Sequence, residues 1–260
     1  MILGISGRKQ SGKNTVANAL HGLVLKDIGA IKGWNTGKDG ELMILTEDSG
    51  GSEGWGEFDI SRKDPAFIEY ADLNMWPHVK LYSFADSLKW ICHRLFNIPQ
   101  ECVWGTDKQK NQPQEHLLWE NMPKAINSTL MKKMMPPDAK RSFDWKEGPM
   151  TAREFMQFFG TDVCRKMYEP IWVNSCINQI KQEQCQLAII ADVRFPNEAN
   201  AIKLAGGKIV RLTRKVSDDS HSSEVALDNY TFTDLIDNSN NSIDSLMVKV
   251  KEFYQTIKEK

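Results

Sequence analysis

A parallel α/β fold in three layers is predicted for this chain of 260 residues by three observations. Short β-branched runs bounded by turn residues alternate with longer segments of helical spacing, the order that gives a parallel sheet covered on both faces. The first run ends at a glycine and leads straight into the first helical segment. The length suits one domain with insertions rather than several domains.

The strand runs are Met1–Ser6, His78–Phe84, Leu187–Val193, Lys208–Thr213 and Thr233–Asp237. Helical spacing covers Lys13–Lys26, Asp86–Phe96, Ala152–Tyr168 and Pro196–Leu204. Ser242–Lys260 reads as a closing amphipathic helix, because Ile243, Leu246, Val250 and Tyr254 fall on one face. Residues 29–77 break the rhythm with Gly, Ser, Asp and Trp, and their two weak strand signals, ELMIL and GEFDI, predict an inserted hairpin or loop. Residues 99–149 carry no clear periodicity, and segments of that length in a compact enzyme tend to be functional or disordered. No internal repeat is seen.

Composition narrows the function classes. Hydrophobic residues make up 41% of the chain, and 33 Lys and Arg balance 34 Asp and Glu without long blocks of one sign, so neither a nucleic-acid nor a membrane partner is expected. MILGISG stops short of a signal-peptide core and no apolar stretch is long enough to span a bilayer, which predicts a cytoplasmic protein. Five scattered cysteines without a CxxC pair are read as reduced and structural.

The sharpest chemical signal is GRKQSGK, Gly7 to Lys13, placed between the first strand and the first helix. Gly7 and Gly12 let the backbone wrap a phosphate and aim successive N–H groups at it, with Ser11 inside the turn, and Lys13 reaches the outer phosphate oxygens. Asn14 stands where a hydroxyl for Mg²⁺ is usual and Thr15 follows one place later, so either Thr15 or a water held by Asn14 completes the metal shell. Asp192 ends the apolar strand LAII, where a carboxylate can hold the metal or its waters, and Arg194 leaves the same edge. Pro196 and Glu198 start the next helix.

Thr151 three residues before Glu154 is a capping-box start. Arg153 and Gln157 then share a face, opposite Phe155, Phe158 and Phe159, and Gly160-Thr161-Asp162 interrupts the pattern. Arg211, Arg214 and Lys215 lead from the fourth strand into a small-residue loop that could close over a triphosphate. His221 in that loop suits a capping role better than a catalytic base.

Taken in order, SGRKQSGKNT, SFADSLK, REFMQFFGTD with IWVN, IIADVRFPNEANAIKLAGGKIVRLTR, SHSSEVAL and LIDNSNNSIDSL resemble the bacteriophage-type deoxynucleoside monophosphate kinases of the P-loop nucleotide-kinase group. Ser87 replaces the proline of the FADPLK form, and residues 29–77 and 99–149 match least. The resemblance implies a five-stranded parallel sheet, a monophosphate-binding region at 85–186 and a lid at 214–232. It implies ATP as donor, Mg²⁺, a small nucleotide acceptor, and a monomer or homodimer, in the host cytoplasm if the chain is phage-encoded. Lys13 and Thr15 match the donor site, and Arg153, Gln157, Thr161 and Asp162 the helix near the acceptor. Asp192 and Arg194 match the strand-end pair, and Arg214, His221 and Glu224 the lid. Dephospho-coenzyme A kinase shares several of these marks and stands as the alternative. A GTPase-type switch is disfavoured by the lack of an NKxD motif, and a nucleotide-binding protein without turnover is a further reading.

Overall fold

The computed structural model describes residues 1–47, 50–122, 146–214, 226–240 and 242–258, and they fall into two compact units. The first unit comprises Met1–Phe84 and Val173–Lys260. Its centre is a five-stranded sheet of β1 (Ile2–Ser6), β5 (Val79–Tyr82), β8 (Leu187–Val193), β9 (Lys208–Leu212) and β10 (Asp234–Ile236). The order is β10-β9-β1-β8-β5 and every pairing is parallel, as the alternation of strand and helix predicts.

Side chains alternate across this sheet with the period of two that a strand imposes. Leu3, Ile5, Ile189 and Val210 enter one core with α1 (Lys13–Asp27), α2 (Pro65–Asn74) and the last helix, α9 (Ile243–Lys258). Ile2, Ala188, Ile190 and Ile209 enter the other with α7 (Ile171–Glu183) and α8 (Pro196–Leu204). Gly4 is required by packing, because a Cβ there would stand 2.7 Å from Ile202 Cδ1. Pro196 occupies the first turn of α8, where its missing N–H costs nothing. The described residues contain no helix long and apolar enough to cross a membrane, and all five cysteines are free and buried.

A second sheet in this unit is antiparallel, with β2 (Gly33–Thr36), β3 (Leu42–Glu47) and β4 (Glu53–Glu57). The fourth strand starts ahead of the GEFDI signal and ends within it, because Asp59 accepts hydrogen bonds from the Ser61 N–H and hydroxyl and turns the chain. Gly22 of α1 receives this sheet: a Cβ there would lie 2.7 Å from the Trp34 ring.

His21 of α1 is fully buried, donates from Nδ1 to Ala17 O at 2.8 Å, and leaves Nε2 without a partner among the described residues. Burial lowers its pKa to about 4. The unfolded imidazole binds a proton at about pH 6.5, so stability is complete above that value and is lost as pH falls towards about 4. The loss should reach a few kcal/mol, of order one per unit of pH. Denaturant unfolding at about pH 7.5 and about pH 5 should show a smaller drop in His21→Leu than in the parent, whereas equal drops would assign the loss to other groups.

The second unit is Ala85–Trp172. It holds α3 (Asp86–Leu95), α4 (Gln100–Trp104), α5 (Asp107–Lys110), the paired strands β6 (Pro113–Leu118) and β7 (Pro149–Thr151), and α6 (Ala152–Gln157). Its core gathers Cys92, Ile98, Met150 and Phe155, with the Phe155 and Phe159 rings stacked at 5.9 Å. Thr151 and Glu154 form the expected capping box. The single helix expected over Ala152–Tyr168 is instead α-helical to Gln157 and π-helical over Phe158–Arg165. The Trp172 indole donates to Gly160 O at 3.0 Å, and Gly160 admits Leu88, whose Cδ2 would be 2.7 Å from an added Cβ. Together these contacts favour the wider turn.

Candidate functional site

Five parallel strands end at one edge of the first unit's sheet, which is where such sheets collect their ligands. Gly7–Gly12 follows β1, Asp192 and Arg194 lie at the end of β8, Ser83 follows β5, Arg214 follows β9, and Asn238 follows β10. Adjacent pairing of β1 with both β8 and β9 therefore brings the loop, the strand-end carboxylate and the arginines to a common rim.

The loop is built by local geometry. Gln10 and Gly12 both adopt left-handed backbone, with φ of 59° and 93°. Gly12 caps α1 in that conformation, so the free N–H groups of the first helical turn face the loop. Gly7 answers to a close approach, since a Cβ would lie 2.4 Å from Ser11 Oγ. Lys13 Nζ folds over the loop and donates to Gly7 O at 2.8 Å and Arg8 O at 2.7 Å. Ser11 Oγ is buried without a hydrogen-bond partner among the described residues.

This loop opens on a cavity of about 650 Å³ that is also lined by Arg194, Arg214, Asn238 and the start of α9. Among the described residues, the basic lining residues number five, Lys9, Lys13, Lys38, Arg194 and Arg214, against one acidic residue, Asp39. A polyanion is the ligand such a balance favours. Arg194 is set by its own N–H donating to the buried Glu198 carboxylate at 2.8 Å, which also accepts from Phe195 N–H at 3.1 Å. The Arg214 guanidinium Nε is buried with no partner among the described residues.

Asp192 shares the rim but does not line that cavity. The Ser83 hydroxyl donates to its Oδ2 at 2.9 Å. It lies within a bulge: Gly4 pairs with Ile190 and Ser6 with Val193, so β8 carries one extra residue over the span that includes Asp192. Bulges of this kind re-aim side chains beside functional sites. The Thr15 hydroxyl packs on Gly40, where an added Cβ would be only 2.1 Å away, and Asn14 is exposed.

In the second unit, Arg153 donates through a terminal nitrogen to Asp107, while its Nε is buried without a partner among the described residues. Lys110 has a lowered pKa, first because burial penalises its charge and then because Lys89 and Arg153 repel it. Arg153, Lys89 and Lys110 thus form a positive cluster around one exposed carboxylate. Gln157 is exposed, Thr161 is exposed, and Asp162 is ion-paired with Lys166 at 2.6 Å. His221 and Glu224 lie outside the described residues.

Sequence reasoning missed Asn238, Ser83, Lys38, Lys89 and Lys110. Asn238 is buried and joins two parts of the site: its Nδ2 donates to Ser11 O at 2.7 Å and its Oδ1 accepts from the Arg214 N–H at 2.9 Å. Its position just past the fifth strand run was the available signal. Arg211 and Arg8 share Asp228, and Arg211 also donates to Ser6 Oγ at 3.0 Å, which ties the loop's second residue to the neighbouring strand.

Comparison with known proteins gives the family. A protein of Acanthamoeba polyphaga mimivirus, provisionally assigned as a deoxynucleotide monophosphate kinase, is 28% identical over 192 residues, 67% of this chain and 79% of its own length. The family model described as deoxynucleotide monophosphate kinase matches residues 87–250, more than half of the sequence. The chain belongs to the deoxynucleotide monophosphate kinase family.

Proposed function

We propose that the chain transfers the γ-phosphoryl group of ATP to a deoxynucleoside or nucleoside monophosphate, in line and with Mg²⁺. The observation that carries this reading is the Gly7–Lys13 loop, with its left-handed Gly12 cap and its cavity of five basic residues and one acidic residue. Loop N–H groups and Lys13 would hold the outer donor phosphates. Arg194 and Arg214 add charge that is fixed before the reaction, which is how phosphoryl transfer gains most of its rate. The lid that the resemblance implies at 214–232 has residues 215–225 outside the described residues.

Mg²⁺, when bound, neutralises charge on the donor's phosphate oxygens. The donor set fits it: Asp192 offers an oriented carboxylate, and the described residues contain no cluster of three or more His, Cys, Asp or Glu side chains. Mg²⁺ takes few protein ligands and keeps waters and phosphate oxygens for the rest. Asp192 is the residue that would hold it, and Thr15, facing Gly40, serves to seat the β2–β3 turn.

The acceptor would bind in the 85–186 region, with its phosphate on Arg153 and Lys110 and with Gln157, Thr161 and Asp162 near the nucleoside. A guanidinium grips phosphate through parallel hydrogen bonds, whereas lysine offers a point charge. Arg153→Lys should therefore raise KM for the monophosphate about tenfold, and Gln157→Ala less, with KM for ATP unchanged. Steady-state kinetics with each substrate varied decides this, and unchanged acceptor KM in both variants would move the acceptor elsewhere. The parent reading is tested by offering ATP with each common monophosphate, ribo and deoxy, beside dephospho-coenzyme A. Diphosphate products support it, and product from dephospho-coenzyme A alone replaces it.

A further inference from the structure

The turn between β2 and β3 is mounted on the helix that carries the phosphate loop. Thr36 pairs with Leu42 across the ladder, and the chain reverses between them with Gly37 N–H donating to Glu41 O at 2.9 Å. The Asp39 N–H donates to Glu41 Oε2 at 3.0 Å, so the tip has a set shape. Gly40, buried and at φ 92°, lies directly against the Thr15 hydroxyl, and its carbonyl accepts from Asn18 Nδ2 at 2.8 Å. Thr15 and Asn18 are three residues apart and present one face of α1. Only a residue without a side chain fits there, and glycine alone takes that φ without strain. Behind the tip, Trp34 packs on Gly22, and the Thr36 hydroxyl meets Met247 Sδ at 3.0 Å. The turn is thereby held against both α1 and α9.

The consequence is that Lys38 reaches the wall of the phosphate-loop cavity while remaining exposed. Among the described residues no ion pair engages its ammonium group, although Asp39 and Glu41 are its near neighbours in sequence. Lys13 leans the other way, over the carbonyls of Gly7 and Arg8. The geometry points to Lys38 as a second lysine of the donor site, delivered by the inserted sheet, that contacts the phosphate chain of the bound nucleoside triphosphate from the Thr15 side. This rests on the proposed function above, and it assigns a binding role to a segment that the family resemblance covers least.

Direct titration of the full chain with ATP tests it, by calorimetry, in the parent and in Lys38→Ala, Lys38→Gln and Lys38→Arg. Loss of one partly exposed charged hydrogen bond should raise Kd about fivefold in the Ala and Gln variants. Arginine keeps the charge and should stay within about twofold of the parent. Melting temperatures should not move, since Lys38 is exposed and pairs with nothing that the fold uses. Parent-like affinity in all three variants overturns the inference, and so does equal weakening in all three, because the turn would then act as a wall and not as a cation. If the parent itself fails to bind ATP, the proposed function falls and this inference falls with it.

Discussion

Lys13→Ala is expected to lower turnover by about 100- to 1000-fold, the usual cost of removing one preorganised charge donor from a transferring group. The fold should survive. Lys13 donates to two loop carbonyls, Gly7 O and Arg8 O, which can turn to water when the ammonium group is gone. The loop's shape rests on other features, namely the left-handed Gln10 and Gly12 and the tie from Asn238 to Ser11 O. A melting curve that matches the parent's beside near-normal turnover would remove the phosphate-loop assignment.

The second large effect is expected at Asp192. Asp192→Asn should weaken apparent Mg²⁺ affinity at least tenfold, and turnover at limiting metal should fall with it, while Asn14→Ala should change either by about twofold at most. The asparagine oxygen can still accept from the Ser83 hydroxyl, which now holds Oδ2 at 2.9 Å, so the change removes charge and leaves position. Asn14 supplies only a neutral dipole and is exposed. Titrating Mg²⁺ against initial rate for the three proteins separates the two residues, and equal effects from both would reassign the metal shell.

The parallel sheet was legible because its strands are short runs rich in β-branched and apolar residues, each followed by a turn or a helix, and the Gly7–Lys13 loop stood out because its residues are contiguous. Arg194 and Arg214 could be placed as well, since a residue just past a parallel strand can only lie at the ligand edge. What escaped has a different physical origin. The β2–β4 sheet showed only as the two weak strand signals ELMIL and GEFDI, and β2 escaped, because the sheet is short and its strands carry little burial period. The π-helical turn depends on an indole from Trp172, twelve residues beyond Gly160, and no local propensity records that contact. Asn238 acts through hydrogen bonds to backbone groups as far as 227 residues away, and such bonds ask nothing of the partner's side chain. The Lys89, Lys110 and Arg153 cluster is assembled from three separate helices, each with ordinary surface spacing.

The amide of Asn238 has an electrical consequence. It fastens the Ser11 carbonyl and the Arg214 N–H with one side chain that both donates and accepts, and it does so while carrying no charge. An aspartate could accept from Arg214 but could not donate to Ser11, and it would set an anion beside the loop. A lysine could donate but not accept, and would repel its basic neighbours. The asparagine holds the Gly7–Lys13 loop to the root of Arg214 without neutralising any of the positive field, so the whole of that field is left to fall on whatever polyanion enters.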